Sequence, residues 1–397
     1  MHPRSVTVLG STGSIGRQAL DVIARHPGRF HVEALAAAGA RPETLARQVA
    51  AWRPSRVALP CADAEDALGR AMAALGAPWP GGCEVLVGPR AAAEAAAGGS
   101  DVVLNGITGA VGLEPTLAAL AAGSTLALAN KESLVIGGAL VMGAVRRQGQ
   151  IVPVDSEHSA IAQCLRSGRP AEVERLILTA SGGPFRGRDR AQLGGVTAAQ
   201  ALAHPTWDMG PVVTINSSTL VNKALELIEA HLLFAIPPER IDVVVHPQSI
   251  IHSMVRFRDG AIIAQASPPD MRLPIALALA WPERLGDVID PVDFTASAAW
   301  TFEPLDNATF PAVGLARRAL AESPLHPAVL NGANEVCVEA FLAGRIGYLE
   351  IVDTVAEVLG GFRSSLGPGI APTLGQVLRA DEWARARANR IVEGSDA

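Results

Sequence analysis

The sequence predicts an α/β protein with an N-terminal Rossmann-like domain, a central α+β domain with a small sheet, and a C-terminal helical bundle. Three observations carry this. Over residues 1–150, short apolar runs alternate with Ala-rich helical stretches, the rhythm of a parallel sheet with helices on both faces. Beyond Ile161 that rhythm gives way to strands with longer, irregular connections. From Ala312 onward the apolar spacing is helical. The expected division is a dinucleotide domain over 1–150, a central domain over 151–285, a linker over 286–311 and a helical domain over 312–397.

The strands of the first part read as Ser5–Leu9, His31–Ala37, Arg56–Leu59, Glu84–Val87, Asp101–Leu104 and Thr125–Leu128, with helices at Ser14–Arg25 and Pro42–Trp52 among those between them. The first turn, Gly10-Ser-Thr-Gly13-Ser-Ile-Gly16, follows a strand and opens a helix. Glycines there let the backbone approach a pyrophosphate seated on the helix N-terminus. The second strand ends in Gly39-Ala40-Arg41 without the acid that would hold a ribose 2′-hydroxyl, which favours NADPH with Arg41 at the 2′-phosphate. A surface arginine near a helix start reads almost as well.

Composition narrows the class. At 397 residues, 49% hydrophobic and 18% charged, the chain has ample core, and a net charge of −6 argues against nucleic-acid binding. The longest apolar run, Ser133 to Val145, is too short for a membrane span and is broken by Gly137, Gly138 and Gly143. A strand-like run from Ser5 leaves no room for a signal peptide, and four scattered cysteines fit a reducing compartment, so the expected location is cytoplasmic. Of 33 basic residues only Lys131 and Lys223 are lysine, which singles out two places for a compact ammonium.

The chemistry concentrates in Ile151–Ile161, read as a buried strand ending in Asp155 and Glu157 before a helix. In a strand those carboxylates share a face about 7 Å apart. A hard divalent cation, Mg²⁺ or Mn²⁺, would keep both ionised; the competing reading is a polar strand end capping a helix. Lys131 follows the sixth strand, at the ligand-binding end of an open sheet. Ser181 precedes two glycines after a strand at Arg175–Thr179. The loop His204–Pro211, with Trp207 and Met209, reads as a lid. In Asn216–Glu229, capped by Ser218 or Thr219, the residues Ser217, Asn222 and Lys223 form a phosphate seat and Glu226 joins the acid pair; an ordinary Lys–Glu pair on a solvated face is the alternative. Val243–Ile251 and Ala261–Gln265 read as strands of the small sheet, with His246 and His252 as core histidines. Leu273–Trp281, Pro327–Leu342, Leu349–Leu359 and Thr373–Asn389 read as helices.

With these stretches assembled, the sequence resembles the 1-deoxy-D-xylulose 5-phosphate reductoisomerase family along its whole length. The motifs are GSTGSIG (Gly10–Gly16), ANKESLV (Ala129–Val135), PVDSEH (Pro153–His158), LTASGGPFR (Leu178–Arg186), NSSTLVNKALE (Asn216–Glu226), HPQSIIHSM (His246–Met254), PDMRLP (Pro269–Pro274) and AVLNGANE (Ala328–Glu335). The resemblance implies rearrangement of 1-deoxy-D-xylulose 5-phosphate and reduction by NADPH to 2-C-methyl-D-erythritol 4-phosphate. It implies a metal on Asp155, Glu157 and Glu226, and substrate contacts from Lys131, Ser156, Ser181, His204, Trp207, Ser217, Asn222, Lys223 and Met271. It also implies NADPH contacts from Thr12, Gly13, Ser14, Ile15, Asn130, Glu132 and Gly210, beside Gly39 and Arg41, and a homodimer paired through the central domain. One departure is that the basic residue after Gly39 is displaced by one position, to Arg41. The competing functions are another two-domain NADPH-dependent dehydrogenase, with Cys164 as nucleophile, and a non-catalytic NADPH-binding regulator.

Overall fold

The computed structural model describes residues 2–207, 209–367 and 369–394. The chain forms two compact units, one of 1–133, 144–155 and 270–289, the other of 134–143, 156–269 and 290–397.

The first unit is built on seven strands: β1 (Arg4–Leu9), β2 (Phe30–Ala36), β3 (Arg56–Leu59), β4 (Glu84–Val87), β5 (Val102–Asn105), β6 (Thr125–Leu128) and β7 (Ile151–Pro153). Their order is β4-β3-β2-β1-β5-β6-β7, and every pair is parallel. Parallel strands need covered faces, and β5 and β6 are buried at every position. The order reverses between β1 and β5, and ligands of open α/β sheets bind outside the strand ends at such a point. The Gly10 turn leaves β1 there, and the segment at Gly106 leaves β5. Gly10 has φ +77°, and a Cβ on it would stand 2.6 Å from the Gly106 carbonyl oxygen. A Cβ on Gly16 would stand 2.4 Å from the Gly10 carbonyl oxygen. The helix Arg272–Ala280 returns from late in the sequence to this core, where Ile275, Ala278 and Leu279 are buried with Val6, Val8 and Val152.

The second unit carries a five-stranded mixed sheet of β8 (Val173–Ala180), β9 (Ile241–Val245), β10 (Ile251–Phe257), β11 (Ile262–Ala266) and β12 (Glu303–Pro304), in the order β11-β10-β8-β9-β12. Its C-terminal helices are Ala312–Glu322, His326–Leu342, Tyr348–Gly361 and Leu374–Val392, the last opened by a capping box from Thr373 to Gln376.

Four expectations are corrected. The strand at Ile151 ends at Pro153, a residue suited to this edge position, and the helix Ser156–Cys164 begins before Glu157. Asp155 therefore lies in the link and Glu157 in the first helical turn, so strand alternation does not set their geometry. Val243–Ile251 is not one strand but β9, a turn and β10. Pro247 brings no N–H, Ser249 has φ +51°, and His246 Nε2 accepts the Ile250 and Ile251 N–H groups at 3.1 Å. The Asn216–Glu229 stretch is two helices, Pro211–Ser218 and Val221–Phe234, parted at Leu220 with φ +59°. Leu220 holds the cap position. Thr219 Oγ1 accepts the Val221 N–H at 3.4 Å, while the Ser218 hydroxyl turns back to the Ile215 carbonyl. The stretch 286–311 contributes β12, which pairs with β9.

The Gly16 packing yields a direct test. Gly16→Val drives a side chain into fixed backbone and is expected to lower stability by about 2–3 kcal/mol, read as a lower denaturation midpoint in urea. An unchanged midpoint would remove the close-approach argument.

Candidate active site

In the first unit, parallel pairing of β6 and β7 sends both chains out of the sheet at the same edge. Lys131 opens the helix after β6 and Asp155 follows β7, and their side chains meet with Nζ 2.5 Å from Oδ2. Asn130, almost fully buried, spends its amide on the segment beyond β5, donating to Ile107 O at 2.6 Å and Gly109 O at 3.0 Å. The same amide reaches Glu132 Oε2 at 3.0 Å. Asn130 and Glu132 thus shape the switch-point turn. Thr12, Gly13, Ser14 and Ile15 form the turn and first residues of the helix Ser14–Arg25, whose N-terminal N–H groups are the natural anion seat. The Arg41 guanidinium donates to the Thr12 carbonyl at 3.2 Å, which brings it to this turn despite its displaced position. Gly39 has φ +86°, and a Cβ there would strike Ala64 at 2.6 Å. Met271 packs, half-buried, against the core of this unit.

In the second unit, Glu157 from the Ser156 helix and Glu226 from the Val221 helix share one ammonium. Lys223 Nζ lies 2.7 Å from Glu157 Oε1 and also donates to Glu226 Oε2. Asn222 Nδ2 donates to the other Glu226 oxygen at 2.5 Å, and the Ser156 hydroxyl donates to Glu157 at 2.5 Å. Lys223 is 3% exposed and Glu226 1%, which excludes a pair on a solvated face. Burial opposes the Lys223 charge, but Glu157 and Glu226 outweigh it and hold the ammonium above its usual range. At 2.7 Å and an effective dielectric of 20, the attraction is about 6 kcal/mol, against several kcal/mol of desolvation per ion. The group is therefore poised rather than strongly stabilising. Removal of either sign would leave an uncompensated buried charge.

Asp155 stands two residues before Glu157, so covalent geometry alone keeps their Cα atoms within about 7 Å. Within the second unit, the Glu157 and Glu226 carboxylates offer the oxygen-only ligation that suits a hard divalent cation. The two lysine ammoniums on these acids mark where positive charge is demanded.

His204 links two hydroxyls. Its Nδ1 accepts the Thr206 and Trp207 N–H groups at 3.1 and 2.9 Å, so Nε2 carries the proton and faces Ser181 Oγ and Ser217 Oγ, both at 3.1 Å. Two hydroxyls and an imidazole N–H converging in this way suit an anionic oxygen. Gly183 allows the Ser181 loop to press on the neighbouring turn, since a Cβ would stand 3.0 Å from Ser217 O. Trp207 meets His252 edge-on, with ring centroids 6.1 Å apart. Trp207 and Met209 are half-buried, Gly210 is exposed at the start of the Pro211 helix, and Asp208 lies outside the described residues. As expected of core histidines, His246 and His252 are buried and hydrogen-bonded, His252 Nε2 to Ser267 O at 3.1 Å. Cys164 is 3% exposed, and burial pushes its thiol up to about 11, which deprives a cysteine-nucleophile mechanism of its thiolate.

Sequence reasoning gave no role to His158 and Glu229. Both are fully buried; His158 Nε2 donates to the Glu226 carbonyl oxygen at 2.8 Å, and Nδ1 lies 3.2 Å from Glu229 Oε2. They form a polar layer behind Glu226. The signal was present, because Glu229 is one helical turn past Glu226 and His158 adjoins Glu157.

A parallel sheet with a glycine-rich turn at its switch point, and a unit bearing buried acids, a shared lysine and an anion-type serine–histidine cluster, define a nucleotide-dependent α/β enzyme. Comparison with known proteins narrows the class. Residues 6–138 match the family described as 1-deoxy-D-xylulose 5-phosphate reductoisomerase. Residues 151–234 match its C-terminal domain, and 266–387 match the DXP reductoisomerase C-terminal domain. A protein of that name from Beutenbergia cavernae is 62% identical over 99% of this chain and 98% of its own length. One from Arthrobacter is 58% identical, covering 98% of each. The solved reductoisomerase of Zymomonas mobilis in complex with NADPH is 42% identical with a TM-score of 0.88, covering 98% of this chain and 99% of that one. A reductoisomerase structure with NADPH, fosmidomycin and magnesium is 35% identical with a TM-score of 0.90, covering 98% of each. This chain belongs to the 1-deoxy-D-xylulose 5-phosphate reductoisomerase family and is an enzyme.

Burial depresses the pKa values of both His204 and His252. The unfolded chain then binds protons that the folded chain refuses, so their contribution is full above about pH 6.5, the unfolded value, and is lost as pH falls below it. The denaturation midpoint is expected to fall between pH 7 and pH 5.5, less steeply in His252→Gln. An equal slope in the variant would contradict the burial argument.

Proposed function

We propose that this chain converts 1-deoxy-D-xylulose 5-phosphate to 2-C-methyl-D-erythritol 4-phosphate with NADPH and a divalent cation, Mg²⁺ or Mn²⁺, a step of isoprenoid precursor synthesis. The observation that carries it is the sharing of the buried Lys223 between Glu157 and Glu226, with Asp155 two residues before Glu157 in the chain.

Asp155, Glu157 and Glu226 are the residues to hold the cation. When bound, it supplies Lewis-acid charge for the substrate's ketone and hydroxyl oxygens. The Lys223 ammonium bridges Glu157 and Glu226 and holds them close, and Asn222 orients Glu226. Lys131 and Ser156 sit on Asp155 and Glu157, where they meet the reacting end of the sugar phosphate. Ser181, His204 and Ser217 receive the phosphate, with Asn222 and Lys223 completing the seat from the first turn of the next helix. Holding the far end in this way orients the carbon skeleton for bond cleavage and rejoining. Trp207 and Met271 cover the substrate backbone, and the 204–211 loop closes as a lid that keeps water from the aldehyde. NADPH supplies the hydride. Thr12, Gly13, Ser14 and Ile15 seat its pyrophosphate, Arg41 beside Gly39 meets the 2′-phosphate, and Asn130, Glu132 and Gly210 are further residues to contact NADPH.

The working assembly is a homodimer paired through 151–285, with 1–150 as the NADPH domain and 312–397 as the helical domain, in the cytoplasm. Among the described residues no helix is long and apolar enough to cross a membrane.

The test is NADPH oxidation followed by loss of cofactor absorbance, with the sugar phosphate and Mg²⁺ present and again after chelation. Turnover should require both. Glu157→Gln and Glu226→Gln should each lower kcat at least about 100-fold and leave NADPH affinity within about 3-fold, well under 1 kcal/mol. Full activity in either variant would sink the acid assignment. NADPH binding without turnover in the parent would favour the regulator reading.

A further inference from the structure

The AVLNGANE stretch lies far in sequence from every residue assigned a role above. Asn334, near its end, is fully buried in the helix His326–Leu342 and donates from Nδ2 to Asn216 Oδ1 at 2.9 Å. Asn216 immediately precedes Ser217. On the other side of Ser217, the Ser218 carbonyl belongs to the last turn of its helix, where carbonyls lack intrahelical donors. The hydroxyl of Tyr348, the chain's single tyrosine, fills that role at 2.6 Å. The Tyr348 ring is itself fixed edge-on against Phe185 and Phe341 at 5.0 and 5.9 Å.

We infer that Asn334 and Tyr348 are positioning residues: the C-terminal helices clamp the residues on both sides of Ser217 and thereby aim its hydroxyl. An apolar pair would bury as well in this core, whereas two directional hydrogen bonds fix the rotation of the helix end. That rotation decides whether Ser217 Oγ stays 3.1 Å from His204 Nε2. The inference rests on the proposed role of Ser217 in seating the substrate phosphate.

The experiment compares Tyr348→Phe, which removes one oxygen atom, and Asn334→Ala with a control, Asn331→Ala. Asn331 is equally buried in the same helix but donates to Glu335 at 2.9 Å, away from the seat. Both positioning variants should raise KM for the sugar phosphate about 10-fold, the loss of roughly one buried hydrogen bond. Their kcat should stay within about 3-fold, with KM for NADPH unchanged. The control should alter stability but neither KM. Hydrogen exchange should quicken over residues 214–220 in Tyr348→Phe and Asn334→Ala only. A KM for sugar phosphate that stays at the parent value, or rises as much in Asn331→Ala, overturns the inference. Should the parent not turn the sugar phosphate over, the proposed function fails, and exchange over 214–220 still decides for or against the clamp.

Discussion

The structure of the second unit depends on the placement of two carboxylates, Glu226 buried and Glu157 half-buried, around one buried ammonium. Glu157 and Glu226 come from different helices and stand 69 positions apart in sequence, and neither carboxylate is at ease away from water without a counter-charge. Lys223 supplies it, one helical turn before Glu226. Asn222 and Ser156 add hydrogen bonds to the two carboxylates, while His158 holds the Glu226 backbone carbonyl and meets Glu229. A site so polar costs stability that an apolar core would keep, and the surrounding helices are accordingly dense in Leu, Ile, Val and Ala. The proposed cation site accounts for that cost, since carboxylates that repel one another in isolation suit a hard cation.

The first unit solves a different problem, that of bringing a diphosphate against backbone. Strand order reverses beside β1, Gly10 carries no side chain to strike the Gly106 backbone, and Asn130 ties the segment beyond β5 down. Lys131 and Asp155 leave adjacent parallel strands at the same edge and pair there, so sheet topology does for them what helix spacing does for Lys223 and Glu226.

Much of this was legible in the sequence, for identifiable reasons. Strands of a parallel sheet are short apolar runs with sharp ends, and Arg56–Leu59, Thr125–Leu128 and the less buried edge strand Glu84–Val87 were readable to the residue. Arginine almost everywhere drew attention to the two lysines, and both sit on carboxylates. What was not legible turned on single backbone conformations and distant partners. Leu220 in the left-handed region breaks one apparent helix into two, and nothing about leucine announces it. The turn at Ser249 likewise divides an unbroken apolar run. The helix that begins at Ser156 claimed Glu157 from a strand pattern that alternation alone supported. Asn334 and Tyr348 meet their partners 118 and 130 residues away, a pairing that no local pattern encodes.

On the proposed reading, Asp155, Glu157 and Glu226 form one oxygen-ligand site for a divalent cation. Calorimetric titration of Mn²⁺ into chelator-treated protein, without substrate or NADPH, decides this. One site per chain is expected in the parent, with binding weakened by at least about 10-fold in Asp155→Asn and in Glu226→Gln. Parent-like binding in both variants would place the cation elsewhere.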